Sequence, residues 1–299
     1  MLFRSTLANT SLATQQALPF SNLKSYSVVD GVGNSNYNAL QVTVKREFDK
    51  RLALLSSYTY GKEEDDGSTI YNFSAPNGTA NAQYTATGAY RHQDFTVGNI
   101  DVKHTLDIGL VYKTPGRWWW MRDWRISPVF IGHTGLPINI TQTNEIPNVS
   151  QQRPNGNAQL LKVSHPALNG AALQYFDTAT DPNFPLTPSG PVYNTIGGVR
   201  TRILETGFGN VPRDSNRAPG EVDFDASISK DFKVYEKLNF QVRVDAFNVI
   251  NHTNFSSPSG SLTVTAVGTT PTFATSSGFG QITGTQNPRQ MQVSARFFF

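Results

Sequence analysis

Apolar and polar residues alternate along several long stretches of this chain, which is the period of a β-strand whose two faces meet different surroundings. The stretches run for about 10 to 12 residues, where a strand of a water-soluble protein averages roughly 5 to 6. In residues 221–232, Val222, Phe224, Ala226 and Ile228 take one face, and Asp223, Asp225, Ser227 and Ser229 the other. In 237–248, Leu238, Phe240, Val242, Val244 and Ala246 oppose Asn239, Gln241, Arg243 and Asp245, and 233–236 makes a hairpin of the two. Residues 289–299 place Met291, Val293, Ala295, Phe297 and Phe299 against Gln290, Gln292, Ser294 and Arg296.

Upstream, 39–48 (Leu40, Val42 and Val44 against Gln41, Thr43 and Lys45) turns at 49–51 into 52–61, which ends in Tyr58 and Tyr60. Residues 102–113 follow, with Leu106, Ile108, Leu110 and Tyr112 opposite Thr105, Asp107 and Gly109. The least regular stretch is 123–134, where Val129 and Ile131 interrupt the polar face and Pro128 removes a ladder donor. Trp118, Trp119, Trp120 and Trp124, beside it, are placed for an aromatic girdle at a bilayer interface.

Connections then alternate in length. Those at 49–51, 114–122 and 233–236 are short, and those at 62–101, 135–220 and 249–288 are long. Strands of this length, joined alternately by short and long connections, predict an all-β fold: an antiparallel transmembrane β-barrel with short periplasmic turns and long extracellular loops. A soluble β-sandwich also alternates apolar and polar positions, but strand length, the alternation of connections and the terminal aromatic weigh against it. The final strand is expected to descend to the periplasm.

Composition agrees with this. The chain has 299 residues, 38% of them hydrophobic, so a large water-facing core is not expected; Gly 24, Tyr 11 and Phe 19 beside 16% charged residues favour β-structure and turns. Cysteine is absent, which removes disulfides, thiolate metal sites and cysteine nucleophiles. The net charge of +3 is scattered, so nucleic acid is not an expected partner. No apolar run of about 18 residues offers a transmembrane helix, and residues 1–14 do not read as a signal peptide.

The stretch Gly33-Asn34-Ser35-Asn36-Tyr37-Asn38-Ala39-Leu40-Gln41, followed by Ser57-Tyr58-Thr59-Tyr60, resembles the barrel of Oar-like TonB-dependent receptors. The similarity continues through Gly135-Leu136-Pro137, Arg153-Pro154-Asn155, the run Phe247-Asn248-Val249-Ile250-Asn251-His252-Thr253-Asn254-Phe255, Gly278-Phe279-Gly280-Gln281-Ile282 and Asn287-Pro288-Arg289-Gln290. That resemblance implies a cell outer membrane location and a barrel of about 22 strands. It also implies ligand uptake driven by TonB through a plug domain, and assembly by the barrel-assembly machinery. The seven strands would be the C-terminal segment of such a barrel, an open curved sheet, with 1–38 mostly an extracellular loop and no plug or signal peptide visible. A short strand near 24–29 is the one further candidate ahead of the seven, so the chain is expected neither to close nor to transport alone. A self-contained small pore or surface adhesin is the alternative.

Few residues suggest chemistry, and neither enzyme activity nor a cofactor is expected. His92, His104, His133, His165 and His252 lack metal-ligand spacing and read as loop or rim residues. Glu63, Glu64, Asp65 and Asp66 are hard-oxygen ligands, yet the EF-hand pattern is missing and a solvated acidic loop is expected. Gly207-Phe208-Gly209 lacks the context of a phosphate loop. Two sets of residues carry structural expectations. Phe297 and Phe299 resemble the C-terminal signal read during barrel assembly, and Asp223, Asp225, Arg243 and Asp245 are predicted to form a lumen-facing polar ladder, with both aspartates of the first strand near Arg243.

Overall fold

The computed structural model describes residues 34–49, 51–65, 95–143, 152–169, 172–190, 192–204, 209–235, 238–274 and 278–299. Seven long strands form one sheet: β1 (Ser35–Asp49), β2 (Leu52–Asp65), β3 (His104–Lys113), β4 (Arg125–His133), β5 (Glu221–Tyr235), β6 (Leu238–Phe247) and β7 (Gln290–Phe298). Each is antiparallel to the next, and spatial order follows chain order. A meander of this kind needs no crossover, so every connection only has to bridge neighbours. Every predicted strand is present. The largest differences in extent are at the start of β1, which begins at Ser35 and not at 39, and at the end of β2, which runs on to Asp65 where a loop was expected; β5 also continues to Tyr235 past a bulge near Lys233.

Register explains how the alternation becomes two surfaces. Tyr112, Ile126, Ile228, Val244 and Val293 stand in one row across five strands. On the opposite surface, Arg125, Ser229, Arg243 and Ser294 stand in the neighbouring row. A slip of one residue in any strand would exchange its surfaces, so the long alternating patterns hold the pairing. Pro128 leaves the expected trace: its pairing with Ala226 of β5 is kept, while pairing between β3 and β4 breaks off between Gly109–Val129 and Tyr112–Ile126. The missing N–H is therefore on the β3 side.

The apolar surface is not covered by protein. Val42, Val44, Met291 and Val293 on it are all exposed, Val293 to 71%. A row-by-row apolar surface of this extent is out of place in water. Among the described residues, the outer edges of β1 and β7 have no strand partner, so the sheet is open.

The buried hydrophobic core lies elsewhere, in the two longest connections. The described parts of 135–220 and 249–288 fold together into a cap, joined by pairing of Ser261–Leu262 with Thr141–Gln142 and of Gln281–Ile282 with Ala172–Phe176. Ile140, Phe176, Val211, Leu262 and Phe279 are among its buried members, and Phe184 meets Phe273 and Phe279 edge to face. Two glycines of the sequence motifs permit this packing. A side chain at Gly135 would meet the Ala218 carbonyl at 1.8 Å, and Gly280 has φ +71 while its position abuts Phe176. The low hydrophobic content predicted no large core, and what forms is a small one inside the loops.

Candidate functional site

The polar surface of the wall carries an open groove of about 380 Å³, lined by Arg125, Ser229, Gln241, Arg243, Asp245 and Arg296 among others. Asp225, Arg243 and Asp245 all border it, so they share one surface. The expected contact of Asp223 and Asp225 with Arg243 does not form. Register sets Arg243 opposite Ser229, four positions along β5 from Asp225, and about 13 Å of strand separates them. Arg243 instead donates from Nε to both oxygens of Asp245, at 2.8 and 2.9 Å, two residues along its own strand.

The two aspartates of β5 hold the start of the last long connection. Asp225 accepts from the Asn248 backbone N–H at 2.8 Å, and Asp223 accepts from Asn254 Nδ2 at 2.9 Å. Asn254 also bonds the backbone of Val222 in both directions, at 3.0 Å each. Asn248 and Asn251 adopt φ 48 and φ 53, a left-handed conformation that asparagine tolerates better than most residues. The asparagine-rich run 247–255 is thus a turn clamped to the top of β5.

A charged latch joins the cap to the same end of the wall. Arg213 is fully buried and pairs with the carboxylate of Asp65 at the end of β2, donating also to its carbonyl at 2.7 Å. Arg217 pairs with buried Asp101 and donates to the carbonyls of Asp101 and Gly135 at 3.0 and 3.1 Å. Deeper in the cap, Gln142 and Ser189 exchange two hydrogen bonds of 2.9 Å, and Gln152 Nε2 donates to Ser189 Oγ at 2.8 Å. Sequence reasoning missed Arg213, Arg217, Gln142, Gln152 and Ser189. Asp65 and Arg213 are 148 positions apart, so no local spacing signals the pair.

Asp214, beside Arg213, is pushed up to about 6 by burial, against the pull of Arg213 and Arg153. Because its folded value exceeds the ordinary 3.8, its stabilising contribution is complete below about pH 4 and is lost as pH rises through about 6. The cap is therefore expected to resist proteolysis within 135–220 better at pH 5 than at pH 7.5. Asp214→Asn, which keeps a residue suited to φ 53, should reduce that difference. Equal wild-type digestion rates at the two pH values, with a protease equally active at both, would contradict it.

The acidic run does not form a solvated loop: Glu63, Glu64 and Asp65 belong to β2. Glu64 pairs with Lys62 at 2.7 Å, Asp65 serves the latch, and the Glu63 N–H donates to Asp101 at 2.7 Å. The strand extends because Thr96–Val97 pairs with its end. His104 Nδ1 lies 2.8 Å from the Tyr58 hydroxyl, His133 Nε2 lies 3.4 Å from Glu221, and His252 Nδ1 lies 3.0 Å from Asn254 Oδ1. Asp66, His92, residues 24–29, and Gly207 and Phe208 lie outside the described residues, as does the side chain of His165. On the apolar surface Phe232, Phe240 and Phe297 stack in sequence with centroids 6.2 and 4.8 Å apart, and Phe299 is fully exposed.

Two surfaces of opposite character on a meander of long antiparallel strands, with short turns at one end and a loop cap at the other, match the architecture of bacterial barrel walls. Comparison with curated proteins finds no match to the chain. A family model described as an outer membrane beta barrel domain matches residues 4–292. The chain belongs to this outer membrane β-barrel family, and its place is the bacterial outer membrane.

Proposed function

We propose that the seven strands are part of the wall of a TonB-dependent receptor of the Oar-like kind, which takes up a scarce ligand across the outer membrane. The apolar surface faces lipid, the polar surface faces the lumen, and the cap is extracellular. Further strands complete the barrel, because unpaired edge groups in lipid cost several kcal/mol each. The chain binds and passes its ligand without converting it, and TonB acts through a plug domain. Phe297 and Phe299 are offered to the barrel-assembly machinery. The observation that supports this reading is the cap: two long connections share a core, latched by Arg213 to the end of β2 and by Arg217 to Asp101 just ahead of β3. A shaped vestibule of that kind suits capture of a specific ligand.

The test is genetic. Strains lacking the encoding gene, lacking TonB, or lacking both are compared for growth on a panel of scarce nutrients. The proposal expects one shared defect that is no worse in the double mutant, restored by the intact gene and not by one ending at Arg296. A defect independent of TonB, with conductance from the purified protein in planar bilayers, would favour a passive pore.

A further inference from the structure

The short connection between β3 and β4 folds outward onto the apolar surface. Lys230 lies on that surface, in register with Val242, yet it is only 5% exposed. Its ammonium donates to the Trp119 carbonyl and sits 5.2 to 5.6 Å from the ring centres of Phe232, Trp124 and Trp119. Cation–π contacts and a carbonyl make a charge bearable on a mostly apolar surface, where Arg46 of β1 lies over the Phe48 ring in a similar way. The connection is also tied internally. Thr114 and Trp124 exchange backbone and side-chain bonds of 2.8 and 3.1 Å, Asp123 N–H donates to Thr114 at 2.9 Å, and Trp124 Nε1 donates to the Trp120 carbonyl at 2.8 Å.

This tied turn holds Trp118, Trp119, Trp120 and Met121 out from the protein, with Trp119 exposed to 66%. Arg117 and Arg122 flank them and are exposed. The one carboxylate within the turn, Asp123, already faces Lys113 at 3.3 Å and Arg122 at 3.6 Å. Three cations against one anion leave the aromatic turn basic. Tryptophan favours the headgroup level of a bilayer, and basic residues there attract anionic lipid.

We propose that this turn is a binding site for anionic phospholipid of the periplasmic leaflet, with Arg117 and Arg122 on the phosphate and the three tryptophans seated in the interface around it. Lys230 is the clasp that holds the turn against the wall. The inference rests on the membrane orientation proposed above.

All 4 tryptophans of the chain lie in this patch, so tryptophan emission from this part of the wall, excited clear of tyrosine, reports on it. The complete barrel that contains this chain is inserted into phosphatidylcholine vesicles containing a minor fraction of acyl-brominated phosphatidylglycerol or, separately, the same fraction of brominated phosphatidylcholine. Local enrichment of the anionic lipid on the order of fivefold per arginine is expected, read as stronger quenching by the brominated phosphatidylglycerol. The preference should shrink as salt is raised. It should vanish in Arg117→Gln/Arg122→Gln while quenching by brominated phosphatidylcholine and heat-modifiable migration stay unchanged. Equal quenching of the wild-type protein by both lipids would overturn the site and leave the membrane wall standing. Absence of quenching from an inserted protein would place the turn outside the bilayer and overturn it as well. Failure of the complete barrel to insert would overturn the membrane orientation itself, and the site with it.

Discussion

Arginine in place of Val293 is expected to destabilise the membrane-inserted protein by about 2 to 4 kcal/mol, while arginine in place of the adjacent Gln292 should leave it unchanged or slightly more stable. Val293 pairs with Val244, which pairs with Ile228, in a row between the Phe232–Phe240–Phe297 stack at one end and Tyr58 with His104 at the other. A guanidinium there would sit near the middle of the hydrocarbon, with no carboxylate opposite. Gln292 points to the other surface, in register with Asp245, where a new cation meets an anion already on that surface. Opposite charges across a strand pair contribute roughly 0.2 to 1 kcal/mol. Urea unfolding in lipid vesicles, followed by heat-modifiable migration, separates the two. Equal tolerance of both arginines would mean that the apolar surface does not face lipid.

Arg213→Met should open the cap without releasing the wall. Removing one member of a buried ion pair costs about 3 to 5 kcal/mol, because the remaining charge is left without compensation. Here the abandoned group is Asp65, with Asp214 adding a second carboxylate 3.5 Å from Arg213 Nε. Since Asp65 terminates β2 and the strand is held along its length by β1 and β3, the damage should stop at the cap. Hydrogen exchange in residues 209–220 is expected to rise, with exchange in β5 and β6 unchanged. Adding Asp214→Asn to the Arg213→Met protein should recover part of the loss, since one of the stranded carboxylates is then neutral. Unaltered exchange in the single variant would show that the latch does not hold the cap.

The cap is also where the sequence is hardest to read. Strands in the wall were legible because each carries its own record: alternation of period two reports the two surfaces at every position, and one residue of slip would reverse them. Pro128 and the bulge near Lys233 are local exceptions that the pattern accommodates. The extension of β2 to Asp65 was not legible, since Glu63, Glu64 and Asp65 resemble a solvated acidic loop until Thr96–Val97 and Arg213 are in place beside them. Lys230 escaped notice for a similar reason. On a strand with an apolar surface a lysine looks like the end of the span, and only the returning tryptophan turn makes a site for it.

What the sequence by itself determined is the wall: the number, order and direction of the long strands, which surface is apolar, and which connections are long. These follow from periodicity and from connection length, both of which are properties of neighbouring residues. Tertiary structure decided the partners of the charges. Asp223 and Asp225 went to Asn254 and Asn248 and not to Arg243, because register between strands, and not their patterns alone, sets which side chains come within hydrogen-bond reach. Arg213 found Asp65 only because two connections share a core that carries it there, and burying a charge is tolerable only where a counter-charge is already held.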